Sequence, residues 1–596
     1  MQQALHAQAA VHSQAALHTQ AAPCLQGNVV HSLCTAKGSL HIPVEYRSIA
    51  PVLVLGIGSL VLLGVSALIP RRSRPAMYPL MTAVIGGAAA VASALCWADI
   101  SDGKPQLTIG GQVFYDHFSM FFCLLIGVAT VFGALLSDSY LQREGLDGVE
   151  AYALMCLAGA GAMLMAESAG TIMLFLGLEI MSIALYVLTA FHRRRAESGE
   201  AGLKYFILGS FSSAIFLYGA ALSYGATGTT QFTEMAQFLG SNVLVNSGVL
   251  LAGMALLIVG LGFKVAAVPF HFWTPDVYQG SPTPFTGYMA AVAKAAGFAG
   301  LLRILLEGFG SQQANWRPII WVMAVLTLLV GSVLAIVQRD LKRMLAYSSI
   351  SQAGYVLIGV QAGSSLGTAG ALFYLLTYTF IIAGSFAVVS VIQGAGEERN
   401  DLGAVRGLSK RRPVLALTLL ILLLAQAGIP FTSGFLAKFY VIEAAVQRGQ
   451  YALAIIGMLA AAIAAFFYLR VGILMYSAPV TGSDAADGMI TAGLAPMAGL
   501  DYPRPVDAAN GHGAARSGEA GPSAAVATTA TTRGAGTAEA GTGDTAGLVT
   551  LLDPPTGKVT IPFTVGITLV VCVAFTIFAG VSSPVIDFAK QATMFF

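Results

Sequence analysis

Four ionisable side chains stand inside long apolar runs of this 596-residue chain. Glu179 is central in GTIMLFLGLEIMSIALYVL, and Lys294 is central in MAAVAKAAGFAGLL. Lys264 lies late in the run that contains GLGFKVAAVPFHFWTPDVYQG, and Lys438 follows GIPFTSGFLA. A charge at the centre of a spanning helix costs roughly 2.5–3.5 kcal/mol even on the lenient insertion scale. Taken alone, Lys264 and Lys438 are each open to reading as helix-end residues that snorkel to the interface. One acid and three bases at bilayer depth together point to an internal polar path that holds water. Lysine suits proton transfer, because burial and a neighbouring carboxylate push its proton affinity in opposite directions. Motion of a partner such as Glu179 would switch a lysine between holding and releasing a proton.

The elements that must position these residues are membrane-spanning helices. Hydrophobic residues make up 56% of the chain and charged ones only 10%, against about 25% charged in soluble domains. A spanning helix needs about 20 mostly apolar residues. Fourteen runs qualify, near 49–70, 77–97, 114–137, 150–166, 168–191, 202–225, 244–270, 283–306, 318–337, 345–361, 366–393, 412–444, 452–477 and 560–583. The fold class is therefore an all-α polytopic membrane protein. RRSR at 71–74, HRRR at 192–195, QRDLKR at 338–343 and RGLSKRR at 406–412 all fall on one side under this count, while Lys104, Arg317 and Arg448 fall on the other. By the positive-inside rule the basic side is cytoplasmic and both termini face away from it.

Two runs are broken by proline. Val414 to Ile442 is 29 residues, about 43 Å as a helix, whereas the hydrocarbon core is about 30 Å thick. Its middle, QAGIPFTSG with Pro430, reads as a broken helix, and Pro269 gives the seventh run the same feature. Discontinuous helices expose backbone groups that only protein or a water-filled cavity can satisfy, as in transporters. VPF at 268–270 and IPF at 429–431 fall in spans seven and twelve, five spans apart. An odd offset makes equivalent spans run in opposite directions, the mark of inverted repeats.

The ends of this core carry additions. LHAQAA, VHSQAA and LHTQAA space His6, His12 and His18 by six residues, which puts successive histidines about 240° apart on a helix and off any common face. Residues 1–46 read as a low-complexity extension, and the Ala/Gly/Thr-rich residues 478–559 as a disordered loop on the cytoplasmic side. The six cysteines, Cys24, Cys34, Cys96, Cys123, Cys156 and Cys572, form no CxxC pair, so no metal or iron–sulfur site is expected in this chain. Four of them read as small buried hydrophobes, and Cys24 and Cys34 can pair only in an oxidising compartment. A Rossmann-type GxGxxG is also absent, which leaves dinucleotide chemistry to other chains.

GLGFKVAAVPFHFWTPDVYQGSPTPFTGYMAAVAKAAGF, DLKRMLAYSSISQAGYVLIG and LAQAGIPFTSGFLAKFYV closely resemble the antiporter-like membrane subunits of respiratory complex I, the proton-pumping NADH:quinone oxidoreductase. The resemblance is to the N-type subunit and covers roughly residues 50–480 and the final span. It implies fourteen helices and two inverted five-helix repeats with broken helices seven and twelve. The expected segments are 47–149 for helices one to three, 150–310 and 311–477 for the repeats, and 560–596 for the last helix and tail. The resemblance also implies roles: Glu179 modulates Lys264, Lys294 is the central lysine, and Lys438 is the lysine that distinguishes the N-type subunit. Lys204 has a family counterpart too, though a snorkelling loop-end role serves it equally well. Ser349, Gln352, Pro269 and Pro430 are expected as polar or structural support. Gln352 stands where histidine is frequent, and glutamine hydrogen-bonds without titrating.

The implied function is proton translocation in the bacterial inner membrane. The implied partners are other membrane-arm subunits and the lipid bilayer, with no nucleic acid. NADH, flavin, iron–sulfur clusters and quinone are assigned to those partners, and no cofactor to this chain. One rival is a Mrp-type cation/proton antiporter subunit without redox partners. The other is a structural adaptor whose buried charges only lock helices, for which three lysines against one glutamate leave unbalanced charge.

Overall fold

A computed structural model describes residues 44–68, 77–100, 105–242, 247–394, 400–478, 561–582 and 584–593. The chain divides into two units, Met1–Ser477 with Thr560–Phe596, and Ala478–Val559. The histidine repeat, Cys24 and Cys34, the RRSR segment, Lys104 and nearly all of 478–559 lie outside the described residues.

The described first unit is a bundle of long helices. In chain order they are α1 (Ala50–Leu68), α2 (Met77–Asp99), α3 (His117–Glu144), α4 (Val149–Glu167), α5 (Thr171–Thr189) and α6 (Ala196–Thr227). A short amphipathic α7 (Phe232–Ser241) precedes α8 (Ser247–Lys264), α9 (Trp273–Gly280), α10 (Thr283–Leu302), α11 (Gln313–Ile336), α12 (Leu341–Ala362) and α13 (Ser365–Gln393). Then follow a one-turn α14 (Leu408–Arg411), α15 (Pro413–Ala427), α16 (Ser433–Gln447), α17 (Tyr451–Tyr476), α18 (Phe563–Val581) and α19 (Pro584–Gln591). Every expected span coincides with a helix. Twelve described helices are long and apolar enough to cross a bilayer by themselves. The remaining two expected spans are α12, which opens with Lys342 and Arg343, and the pair α15 and α16.

Both breaks fall where proline predicts them. Helix α8 stops at Lys264, Ala266 takes a positive φ of 61°, Val268–Pro269 is cis, and α9 resumes at Trp273. The irregular stretch is not left dry of partners: the Val268 amide donates to Thr327 Oγ1 at 2.9 Å, and Trp273 Nε1 donates to the Phe263 carbonyl at 2.9 Å. The second break follows Ala427, with Gly428 left-handed (φ 89°, ψ 43°) and Phe431 at φ 66° before α16 begins. These partners answer the rule that non-helical backbone at membrane depth must be satisfied by protein or water.

Burial separates the helices by role. All twenty residues of α10 are buried, and α13 is buried almost throughout, so these two helices form the centre of the bundle. Side chains such as Leu60, Leu80, Phe211, Ile455 and Val570 point outward from α1, α2, α6, α17 and α18, the apolar coat a lipid solvent requires. Small residues let helices approach closely: a Cβ on Gly161 of α4 would sit 2.5 Å from the Met181 amide of α5. A hairpin absent from the sequence reading, β1 (Gln106–Thr108) against β2 (Val113–Tyr115), pairs Leu107 with Phe114. It bridges to the α4–α5 joint through Val113 and Ser168, and Gly170 of that joint bridges to Gln231 ahead of α7.

A chain of buried lysines as the candidate functional site

The break in each discontinuous helix decides what its lysine touches. A helix end leaves carbonyls without partners, and in α15 these are met by the chain's own next helix. Lys438 Nζ, from the second turn of α16, donates to the carbonyls of Gln426 at 2.9 Å and Ala427 at 2.8 Å. A cation at the C-terminus of a helix also complements its dipole. Lys438 is only 6% exposed, so the snorkelling reading fails for it. Gly428 makes room: a Cβ there would lie 2.9 Å from Lys438 Cδ.

Lys264 is the last residue of α8 and is 1% exposed, which rejects snorkelling here too. Its ammonium faces the rings of Tyr186 and Tyr205, each at 5.4 Å from the centroid. Tyr205 stacks on Trp273 at 4.7 Å, and Trp273 on Phe263 at 5.3 Å. Glu179 lies on α5 seven residues before Tyr186, two turns away on the same face. Neither Lys264 Nζ nor Glu179 Oε1 has a hydrogen-bond partner. Glu179 acts on Lys264 through space rather than through a direct contact.

Lys294, 3% exposed and central in α10, donates to the Ser349 carbonyl of α12 and faces the Tyr378 ring at 5.2 Å. Gly297, one turn later, carries the approach of α8: a Cβ there would meet Lys264 Cβ at 3.3 Å. Ser349 Oγ accepts from Tyr378 at 2.8 Å and lies 3.5 Å from Tyr278 Oη. Its neighbour Ser348 donates to Gln426 Oε1 at 3.0 Å and meets the Tyr468 hydroxyl. Gln352 Nε2 reaches the Gln426 carbonyl at 3.1 Å and Tyr468 Oη at 2.9 Å, and its Oε1 accepts from Tyr374. The Gln426 carbonyl is also the acceptor of Lys438. A cavity of about 10 Å³ lined by Tyr378, Gln352, Gln426 and Ala437 adjoins this network, room for about one water molecule.

The site is thus densely polar on one side and aromatic on the other. Between Lys294 and Lys438 lie two hydrogen-bonded sets, Lys294 with Ser349, Tyr378 and Tyr278, and Lys438 with Gln426, Gln352, Ser348, Tyr374 and Tyr468. They adjoin at the consecutive residues Ser348 and Ser349, and the small cavity lies beside both. Between Lys264 and Lys294 stand the rings of Tyr205, Trp273 and Tyr278, with no hydrogen bond crossing them among the described residues.

Lys204 lies apart from this chain. It is 42% exposed in its side chain and pairs with Glu200 at 2.7 Å and Asp276 at 2.9 Å. Arg343 Nη1 joins the same Asp276 at 2.7 Å and Gln279 at 2.9 Å. Burial would raise the Asp276 carboxyl, but hydrogen bonds from Lys204 and Arg343 hold it below the usual carboxylate range. This surface cluster ties α6, α9 and α12 together. Pro269 and Pro430 lie in the breaks themselves. Sequence reasoning missed Arg303, wholly buried near the end of α10, and its partner Asp116. The signal was available as an arginine inside the run 283–306. Described cysteines Cys96, Cys123, Cys156 and Cys572 are free and buried, as expected.

Comparison with known proteins shows the family. Residues 168–464 match the family described as NADH:quinone oxidoreductase/Mrp antiporter, transmembrane. NADH-quinone oxidoreductase subunit N of Trichlorobacter lovleyi is 43% identical over 438 residues, covering 73% of this chain and 88% of that one. A chain of respiratory complex I from Thermus thermophilus, solved with bound aureothin, superposes with a TM-score of 0.61 at 33% identity, covering 72% of this chain and 91% of that chain. The Mrp complex from Dietzia sp. gives a TM-score of 0.72 over 92% of this chain and 97% of that one. At 21% identity, that last likeness concerns the fold alone.

Proposed function

This chain belongs to the NADH:quinone oxidoreductase/Mrp antiporter membrane family, and from that premise we propose that it is the N-type membrane-arm subunit of a proton-translocating NADH:quinone oxidoreductase. Oxidation of NADH and reduction of quinone belong to other subunits, which carry the flavin, the iron–sulfur clusters and the quinone site. The task of this multi-pass membrane chain is to move protons, with energy arriving from those partners through conformational or electrostatic coupling. The basic loops face the cytoplasm and the termini the opposite side.

The observation that carries the site is the pair of adjoining buried sets, Lys294 on Ser349 and Lys438 with Gln352 on Gln426. On this reading Glu179 sets the charge balance of Lys264, Lys294 holds the proton at the centre, and Lys438 passes it on. The aromatic gap between Lys264 and Lys294 acts as the controlled step: it conducts only when water enters it. Lys438 has a second duty, since its ammonium caps α15, and loss of its proton weakens that cap. Proton release and the geometry of the twelfth span are therefore coupled. The two broken helices belong to the two inverted repeats, 150–310 and 311–477.

The test begins with affinity purification of the chain from its native membrane in mild detergent. Co-purification of flavin, iron and NADH:quinone reductase activity is expected. A chain that emerges with antiporter-type partners and no redox centres belongs to an ion exchanger instead. Within the purified complex, Lys264→Ala is expected to abolish proton pumping and slow quinone-linked turnover. If both survive unchanged, the lysine path is wrong.

A further inference from the structure

A second buried polar group gathers at the C-terminal end of α10, on the far side from the lysine chain. Arg303 follows Lys294 by nine residues, about 13 Å along the axis and half a turn around it. There α10 gives way to a π-helical turn, Arg303–Gly308, a distortion frequent at functional sites. Arg303 Nη2 donates to Asp116 Oδ1 at 2.7 Å and Ser119 Oγ at 2.8 Å, and its Nε donates to the Ala166 carbonyl at 3.3 Å. Phe114 and Phe118 cover the guanidinium at 4.3 and 4.4 Å. Glu307 approaches it at 3.8 Å.

Glu167, the residue next to Ala166, is fully buried at the end of α4. One of its oxygens accepts from Cys123 Sγ at 3.2 Å, and the other has no partner. Asp116 Oδ2 and Glu307 Oε1 also lack hydrogen-bond partners. Among the described residues, Arg303 is the one cation that acts on Glu167 or Glu307. Three carboxylates thus share one guanidinium, Asp116 and Glu167 buried and Glu307 partly so. Buried charge without a counter-charge or hydrogen bonds is costly, and neutralisation is the usual escape. An ion pair that served only to lock α3 to α10 would need Arg303 and Asp116 alone. Glutamine or methionine would fill the place of Glu167 with less cost.

We propose that Glu167, with Asp116, Arg303 and Glu307 around it, is a second proton-holding site of this subunit. The proton binds at the unpartnered Glu167 oxygen, forming one O–H bond. It leaves to water at the end of the bundle where α4 and α10 finish, opposite the basic loops 192–195 and 338–343. Arg303 and Asp116 are positioning residues that keep a fixed charge beside the exchanging acid. The proposal rests on the proton-translocation reading, since it adds a station to that path.

The experiment uses the whole complex in proteoliposomes, with Glu167→Gln and Lys264→Ala prepared in parallel. Protons moved per NADH oxidised and the infrared difference spectrum under turnover are both measured. The expected result is a deuterium-sensitive carboxylic-acid C=O band that Glu167→Gln removes and Cys123→Ala shifts, together with a several-fold fall in protons moved per NADH in Glu167→Gln. If Glu167→Gln pumps normally and only Lys264→Ala fails, Glu167 is no station and the lysine path stands. If neither substitution changes pumping, the translocation reading falls and this proposal with it. Should Glu167→Gln not assemble, Cys123→Ala decides: a missing band, or one that does not shift, overturns the proposal.

Discussion

Each of the three lysines of the candidate path rests against tyrosine: Lys264 on Tyr186 and Tyr205, Lys294 on Tyr378, Lys438 on Tyr355 at 4.8 Å. A ring face stabilises an ammonium by about 0.5–2 kcal/mol and adds no charge that would hold the proton permanently. That suits a residue whose protonation must change. Gln352 plays a different part, as a fixed bridge with its donor and acceptor both engaged. Gln352→Leu would take the acceptor of the buried Tyr374 hydroxyl and one partner each from Tyr468 and the Gln426 carbonyl, at about 1–3 kcal/mol for an unmet buried group. Thermal unfolding of the purified complex should show the loss, and pumping should fall with it. A leucine variant that pumps at the normal rate would mean the path bypasses Gln352. Gln352→His should keep most of the function, because an imidazole can again donate and accept.

At the scale of elements, the second break is held by its glycines. Gly428 adopts φ 89° and abuts Lys438. Gly428→Ala adds left-handed strain of about 1–3 kcal/mol and presses a methyl against the lysine that caps α15. Pumping should fall more than complex assembly does, as read by vesicle acidification against band intensity on a native gel. Gly434 is stricter: a Cβ there would sit 1.9 Å from the Ala425 carbonyl oxygen. No local adjustment absorbs that overlap, so Gly434→Ala should prevent accumulation of the assembled complex. Normal assembly of that variant would show that α15 and α16 sit farther apart than described.

At the scale of the whole molecule, the surface cluster of Lys204, Glu200, Asp276 and Arg343 fastens three helices around the first break. The Asp276 carboxyl is held below its ordinary value of 3.8. The sign follows from linkage: a lowered carboxylate contributes stability that is complete above the ordinary value and is lost as pH falls through the lowered one. Asp276→Asn should therefore unfold at lower temperature than the parent at neutral pH, and the gap should close below about pH 4. A gap that persists in acid would assign the effect to packing. The added segment near the C-terminus allows a simpler check. The family match ends at residue 464, and the composition of 478–559 gives it little apolar surface to bury. Deleting roughly 484–552 should leave reductase activity and pumping largely unchanged. A large loss would mark the segment as a docking element.

By itself, the sequence determined the class of the molecule, the number of its spans and the residues worth attention. Apolar length, loop charge and proline position are properties of local stretches, and a bilayer reads them one helix at a time. That is why each of the fourteen expected runs is met by a helix or a broken pair while the short α7, α9 and α14 lie outside them, and why Lys264, Lys294 and Lys438 stood out at once. What touches those lysines was decided only by tertiary structure. Lys438 turns back on the carbonyls of Gln426 and Ala427, Lys294 reaches across to α12, and Glu179 keeps its distance from Lys264. Gln426 and Tyr468, silent within apolar runs, became links because three helices converge on them. Arg303 and Glu167 are separated by more than a hundred residues yet share one buried cluster. Spacing along a chain fixes which face of its own helix a side chain occupies. The partner on the next helix depends on packing between distant segments, which no local stretch encodes.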